Sequence, residues 1–175
     1  MNFYPSKAVR VASIGLIILS GSLPTLAHAA TTAPKAPKAH GKAPMNSVVL
    51  PSVSAHAGVA PVIGKPVGAA PTKLITKDII VGKGQAALSS STVTAQYVVM
   101  SWKTGVVYQT SWTAQPFTAP LANLIVGWQR GIPGMKIGGR RLFIIPPALA
   151  YGAQGAGNIP ANETLVFVVD LLGVK

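Results

Sequence analysis

The chain of 175 residues has no cysteine and only three carboxylates, and charged residues are 10% of it. A soluble domain ordinarily carries about 25%. Without cysteine there is no disulfide, thiolate nucleophile or Cys-based metal site. The three histidines, His28, His40 and His56, all precede residue 73, so the stretch 73–175 has no imidazole base. Its only acids are Asp78, Glu163 and Asp170, too few and too scattered for a Ser/His/Asp arrangement or a metal cage. Gly152-Ala153-Gln154-Gly155-Ala156-Gly157 is glycine-rich but matches neither the P-loop nor the dinucleotide fingerprint. These absences argue against hydrolysis, redox and phosphoryl transfer, and no cofactor is expected.

What is present falls into three parts. Residues 1–29 read as a cleavable signal peptide: Lys7 and Arg10 are followed by the apolar run Val11 to Leu19, and Ala27-His28-Ala29 offers small residues at a cleavage position. Gly21 and Pro24 break the run well short of the roughly 20 residues that span a bilayer. The mature protein is therefore expected to be periplasmic or secreted. Residues 30–72, rich in Ala, Pro, Lys and Gly, read as a disordered, semi-stiff tether, although 47–53 is apolar enough to pack locally. Residues 73–175 are the folded domain.

Within that domain, Leu74 to Val81, Thr92 to Trp102, Val106 to Ser111, Arg140 to Ile145 and Thr164 to Val174 have strand character. Lys103-Thr104-Gly105 and Gly138-Gly139 are turn signals. The last strand is apolar at successive positions, which predicts burial on both faces and a central place. Asn123 to Gly131 is the one helix expected, with Asn123 as its N-cap. The fold class is α+β: an antiparallel sheet of four to five strands around one short α-helix.

Chemistry without a proton donor of its own leaves binding, or rotation about an X–Pro bond. That rotation breaks no covalent bond, yet its barrier is about 18–20 kcal/mol because amide resonance must be lost. Water favours the polar planar amide, so an apolar pocket lined with aromatic residues favours the twisted form by differential binding.

The residues that would build such a pocket occur in an informative order. Ile125-Val126-Gly127-Trp128-Gln129-Arg130-Gly131, Gly134-Met135-Lys136-Ile137-Gly138-Gly139-Arg140-Arg141, Ile145-Pro146-Pro147-Ala148-Leu149-Ala150-Tyr151-Gly152 and Ile159-Pro160-Ala161-Asn162-Glu163-Thr164-Leu165-Val166-Phe167 together resemble the signature of FKBP-type peptidyl-prolyl cis-trans isomerases. The resemblance spans essentially all of 73–175. It implies a sheet wrapped around a short helix and a pocket with Trp128 as its floor. It also implies walls from Tyr97, Tyr108, Phe117, Leu124, Ile125, Ile159 and Phe167. The Tyr151 hydroxyl and the Ile125 N–H would bond carbonyls of the bound prolyl peptide.

Four positions depart from the family pattern. Gln109 stands where an acidic residue usually follows the Tyr108 position, and Val99 replaces the glycine of Tyr-Thr-Gly. Ala119 replaces an aromatic, and Ala161 the second proline of Ile-Pro-Pro. Loss of the acid at 109 dries the pocket edge and weakens the expected macrolide binding. The departures leave two readings open: an isomerase acting on exported, proline-containing proteins, or a non-catalytic or weakly catalytic peptide-binding chaperone of the same fold. The net charge of +12 is carried by dispersed Lys and Arg without interleaved aromatics. That pattern disfavours nucleic acid and leaves weak contact with anionic envelope polymers. A monomer is expected.

Overall fold

The computed structural model describes residues 48–175; the expected signal peptide and the first part of the expected tether lie outside the described residues. Six strands form one antiparallel sheet: β1 (Ile75–Ile80), β2 (Thr92–Ser101), β3 (Val107–Thr110), β4 (Phe117–Pro120), β5 (Arg140–Ile145) and β6 (Leu165–Val174). The order is β1-β5-β6-β2-β3, and β4 pairs the first half of β2 where β3 pairs the second. One helix, α1 (Val126–Gly131), lies between β4 and β5. The strand expected at Thr164 to Val174 is indeed internal, hydrogen-bonded to β5 on one side and β2 on the other.

Period-2 alternation sorts β6 onto two faces. Leu165, Phe167, Val169 and Leu171 point to the helix, and join Val93, Ala95, Val99, Phe143, Ile145, Trp128 and Ile132 in the main core. Val166 and Val168 point the other way and pack with Leu142, Ile144, Met100 and Trp102 in a second apolar layer.

Three expectations need correction. The sheet has six strands, not four to five, because β4 is only four residues long and ends in Pro120, too short for a readable period. The helix also starts later than Asn123. Residues Leu121–Asn123 form a 3-10 turn anchored by fully buried Leu121, and Leu124 is extended. The N-cap position of α1 is Ile125, which offers no side-chain cap.

The tether is the third correction, for its part 48–72. This segment folds into an irregular hairpin over the back of the sheet, with bridges Val49↔Val67 and Val53↔Ile63. Leu50, Val53 and Ile63 pack on the second apolar layer, and Pro51, Pro66 and Pro71 are buried. Composition suggested solvation because Pro and Ala are abundant. Of the eight Val, Leu and Ile residues between 48 and 67, only Leu50, Val53 and Ile63 face the sheet, and with the three buried prolines they supply the apolar surface that docks; the other five stay exposed. Polar contacts fix the register. The Trp102 indole N–H donates to the Gly68 carbonyl (3.2 Å), and the Arg140 guanidinium donates to the carbonyls of Ser54 (2.8 Å) and Val59 (2.7 Å).

Candidate functional site

The helix side of the sheet gathers the aromatic residues. α1 is held close to β5 because residue 127 is glycine: a Cβ there would sit 2.5 Å from the Ile145 side chain. This seats Trp128 in the middle of the rings. Its indole meets Tyr97 at 5.8 Å, Phe117 at 6.2 Å and Phe167 at 5.6 Å between centroids, all edge-to-face. Tyr97 also meets Phe117 edge-to-face at 6.0 Å. Edge-to-face pairs set a ring's positive edge against its neighbour's negative face, so the cluster is stiff as well as apolar. Register explains the grouping: Val99 pairs Phe167 on one side of β6 and Phe143 pairs Phe167 on the other, so β2, β5 and β6 bring their inward residues under the helix.

Of the ten residues expected from the sequence, nine belong to this one cluster. Leu124, Ile125, Trp128, Ile159 and Phe167 are buried in it, with Tyr97, Tyr108, Phe117 and Tyr151 half-buried against it. The tenth, Gln109, is exposed on β3 beside Tyr108. Trp128 is only 3% exposed, so the rings largely cover it and the accessible part of the site is the half-buried rim of tyrosines and Phe117. Its indole N–H has no hydrogen-bond partner among the described residues.

Polar groups are few and differentiated. Ile125 accepts the N–H groups of Trp128 (2.9 Å) and Gln129 (3.2 Å) through its carbonyl, while its own N–H forms no bond within the described residues. The Gln129 side chain donates to the Leu124 carbonyl at 2.7 Å, fixing the extended residues that lead into the helix. Burial pushes the Tyr151 hydroxyl up to about 12, with the neighbouring Tyr97 adding to the effect; burial raises Tyr97 as well. Tyr151 is therefore a neutral donor throughout the ordinary pH range. For stability the sign follows from the raised folded-state value. The contribution is fully present below the ordinary tyrosine value near 10 and is lost as pH rises through about 12. Melting temperatures from pH 8 to 12 should thus be level to about pH 10 and fall beyond it, less steeply in Tyr151→Phe.

Sequence reasoning missed two contributors. Leu121 lies under the ring cluster at 1% exposure, and Asn158 donates its side-chain amide to the Tyr108 carbonyl at 2.9 Å. Leu121 sits in a segment without usable periodicity. Asn158 acts across fifty positions of sequence, and no local pattern encodes such a contact.

Comparisons with known proteins agree with this architecture. A family model for FKBP-type peptidyl-prolyl cis-trans isomerase matches residues 83–172. A probable FK506-binding protein of Corynebacterium glutamicum is 48% identical over 113 residues, covering 64% of this chain and 96% of that protein. An FK506-binding protein of Streptomyces anulatus is 43% identical over 119 residues, covering 65% and 96%. Among solved structures, FkpA from Escherichia coli superposes with a TM-score of 0.56 at 40% identity, over 59% of this chain and 49% of that one. AtFKBP13 gives 0.55 at 33%, over 61% and 96%. The ring cluster thus lies in a domain that runs almost the full length of the Corynebacterium and Streptomyces relatives and about half of FkpA, and the chain belongs to the FKBP-type peptidyl-prolyl cis-trans isomerases, enzymes that interconvert the cis and trans forms of X–Pro bonds.

Proposed function

We propose that the rim around Trp128 is where this enzyme binds and rotates prolyl bonds, and that its substrates are proline-containing segments of exported proteins. The observation that carries the site is the convergence of five aromatic side chains with two otherwise uncommitted donors, the Tyr151 hydroxyl and the Ile125 N–H. No titrating group among the described residues stands beside them except tyrosine. A prolyl ring laid on the rim loses water from its amide, which removes part of the solvation that favours the planar form. Tyr151 and Ile125 then hold the flanking carbonyls, so the peptide turns about one bond while its ends stay fixed. No proton moves.

Export rests on the amino-terminal pattern, and the functional unit is proposed to begin at 48 rather than 73, since 48–72 covers the sheet. The relatives named for FK506 support a macrolide as an alternative occupant of the rim, held less tightly because residue 109 is Gln rather than an acid. A second, weaker partner is favoured by the ion pairs. Asp170 and Asp78 are engaged by Arg140 and Arg141, so the outward charge is carried by Lys65, Lys73, Lys77, Lys83, Lys103, Arg130, Lys136 and Lys175. That surface suits acidic envelope polymers at low salt.

The test is an exchange assay on a short X–Pro peptide with wild type and Tyr151→Phe. Wild type is expected to accelerate exchange, and loss of the hydroxyl to lower kcat/KM by roughly three- to tenfold, the effect of one net hydrogen bond. Tyr151→Phe at the wild-type rate would move the site elsewhere. Peptide binding without acceleration would establish the chaperone reading instead.

A further inference from the structure

The segment from Tyr151 to Asn162 is a compact hairpin-like loop bonded mainly to itself. Gly155 N–H donates to the Tyr151 carbonyl (3.1 Å), Ala156 and Ile159 exchange both backbone bonds (3.0 and 2.8 Å), and Asn162 N–H donates to the Gly152 carbonyl (2.8 Å). Gly155 holds this shape at φ +67, where an added Cβ would press on the backbone of Pro160 at 2.9 Å. The loop carries Tyr151 at its base and buried Ile159 on its returning limb, so it forms one wall of the ring cluster. β3, carrying Tyr108, forms the wall facing it.

β3 is bulged where the two walls meet. Met100 pairs Val107 and Val99 pairs Gln109, so Tyr108 is the extra residue and its carbonyl is released from the ladder. The exposed loop tip supplies the missing donor, Asn158 Nδ2, at 2.9 Å. Among the described residues this is the one side-chain hydrogen bond joining the loop to β3.

We propose that Asn158 is a positioning residue: its bond to the bulged Tyr108 carbonyl latches the loop to β3 and sets the width of the cleft mouth, and with it the tolerance for the residue preceding proline. The proposal rests on the ring cluster being the substrate site. With the latch made, Tyr151 and Ile159 face Tyr108 at one spacing. A peptide whose preceding side chain demands more room must break an exposed hydrogen bond to enter, a cost that corresponds to roughly a two- to tenfold loss of affinity. The device therefore acts on binding and discrimination rather than on the rotation itself.

The test uses the 48–175 chain and proline tetrapeptides that differ only in the residue before proline, followed by NMR exchange so that pH can be varied. Asn158→Ala is expected to raise KM roughly two- to tenfold for small preceding residues, to keep kcat within about twofold, and to narrow the spread of kcat/KM across the series. Asn158→Asp has the right shape but no donor at pH 7, and should match or exceed the Ala defect there. Below about pH 4 its carboxyl is protonated, can donate, and should recover relative to wild type at the same pH, which Ala cannot do. Parallel falls in kcat and melting temperature with no difference between the two variants at low pH would overturn the latch, as would wild-type KM and discrimination in both. If Tyr151→Phe is also silent in the same assay, the failure lies with the site rather than with Asn158.

Discussion

Replacing Arg140 with Ala should lower stability by about 3–5 kcal/mol, the largest effect expected of any single substitution outside the ring cluster. Arg140 is completely buried. Its Nε and Nη2 grip the two oxygens of Asp170 on the neighbouring strand at 2.6 and 2.8 Å, and its remaining donors reach the Ser54 and Val59 carbonyls. Its guanidinium also lies 5.9 Å from the Trp112 ring centroid. Truncation leaves Asp170, 7% exposed, as an uncompensated charge, and removes the donors that hold the amino-terminal hairpin. Desolvation dominates this effect, so a control separates it from packing. Arg140→Met with Asp170→Leu removes both charges and should recover much of the loss. For a folded region of this size the single variant is expected to melt roughly 10–20 °C lower. A melting temperature within a few degrees of wild type would mean that water already reaches the pair.

That arrangement also shows where sequence reading reaches its limit. The strand 165–174 was legible because successive apolar residues have one physical outcome, burial on both faces. The element covering the second face was legible only in its first part, where 47–53 reads as apolar enough to pack and Leu50 and Val53 do so; the returning limb with Ile63 was not. A segment of Pro, Ala and Val carries no period when it docks as an irregular hairpin, and its fate depends on a surface more than thirty residues away. Arg140 looked like part of a surface charge pattern, since nothing local distinguishes a buried arginine from an exposed one; Arg141, next to it, binds the exposed Asp78. The members of the ring cluster were legible through the family resemblance and not through residue type alone, since Tyr108 on β3 and Phe143 on β5 are aromatics on equally regular elements. Its geometry was not. The helix start shifted from Asn123 to Ile125 because burial of Leu121 outweighs the capping preference of an asparagine. Gln109 kept its place beside Tyr108 yet faces solvent, and the bulge at Tyr108 comes from pairing with β2, which local spacing does not encode.

Removing the hairpin altogether tests the same covering layer from the other side. A chain of 73–175 would expose Met100, Trp102, Leu142, Ile144, Val166 and Val168, all at or below 4% exposure when covered. Leu50, Val53 and Ile63 each contribute at most about 1.5–3 kcal/mol by burial, an upper bound because they are only half-buried. Ordering the hairpin backbone costs about 1–2 kcal/mol per residue, more than these three side chains return, so the buried prolines and the polar contacts to Trp102 and Arg140 are needed as well and the net gain within the intact chain is small. The larger consequence is therefore colloidal. An uncovered apolar layer of several side chains exceeds what monomers ordinarily expose, and two copies can bury it against each other. The 73–175 chain is expected to associate with rising concentration in light scattering, while 48–175 stays monomeric. Its isomerase rate per folded chain should persist, because the ring cluster lies on the opposite face of the sheet. Restoring the hairpin with Leu50, Val53 and Ile63 all changed to Ser should reproduce the association, since backbone length without apolar contact leaves the layer open to water. A 73–175 chain that remains monomeric and melts at the temperature of 48–175 would show that the second layer needs no cover.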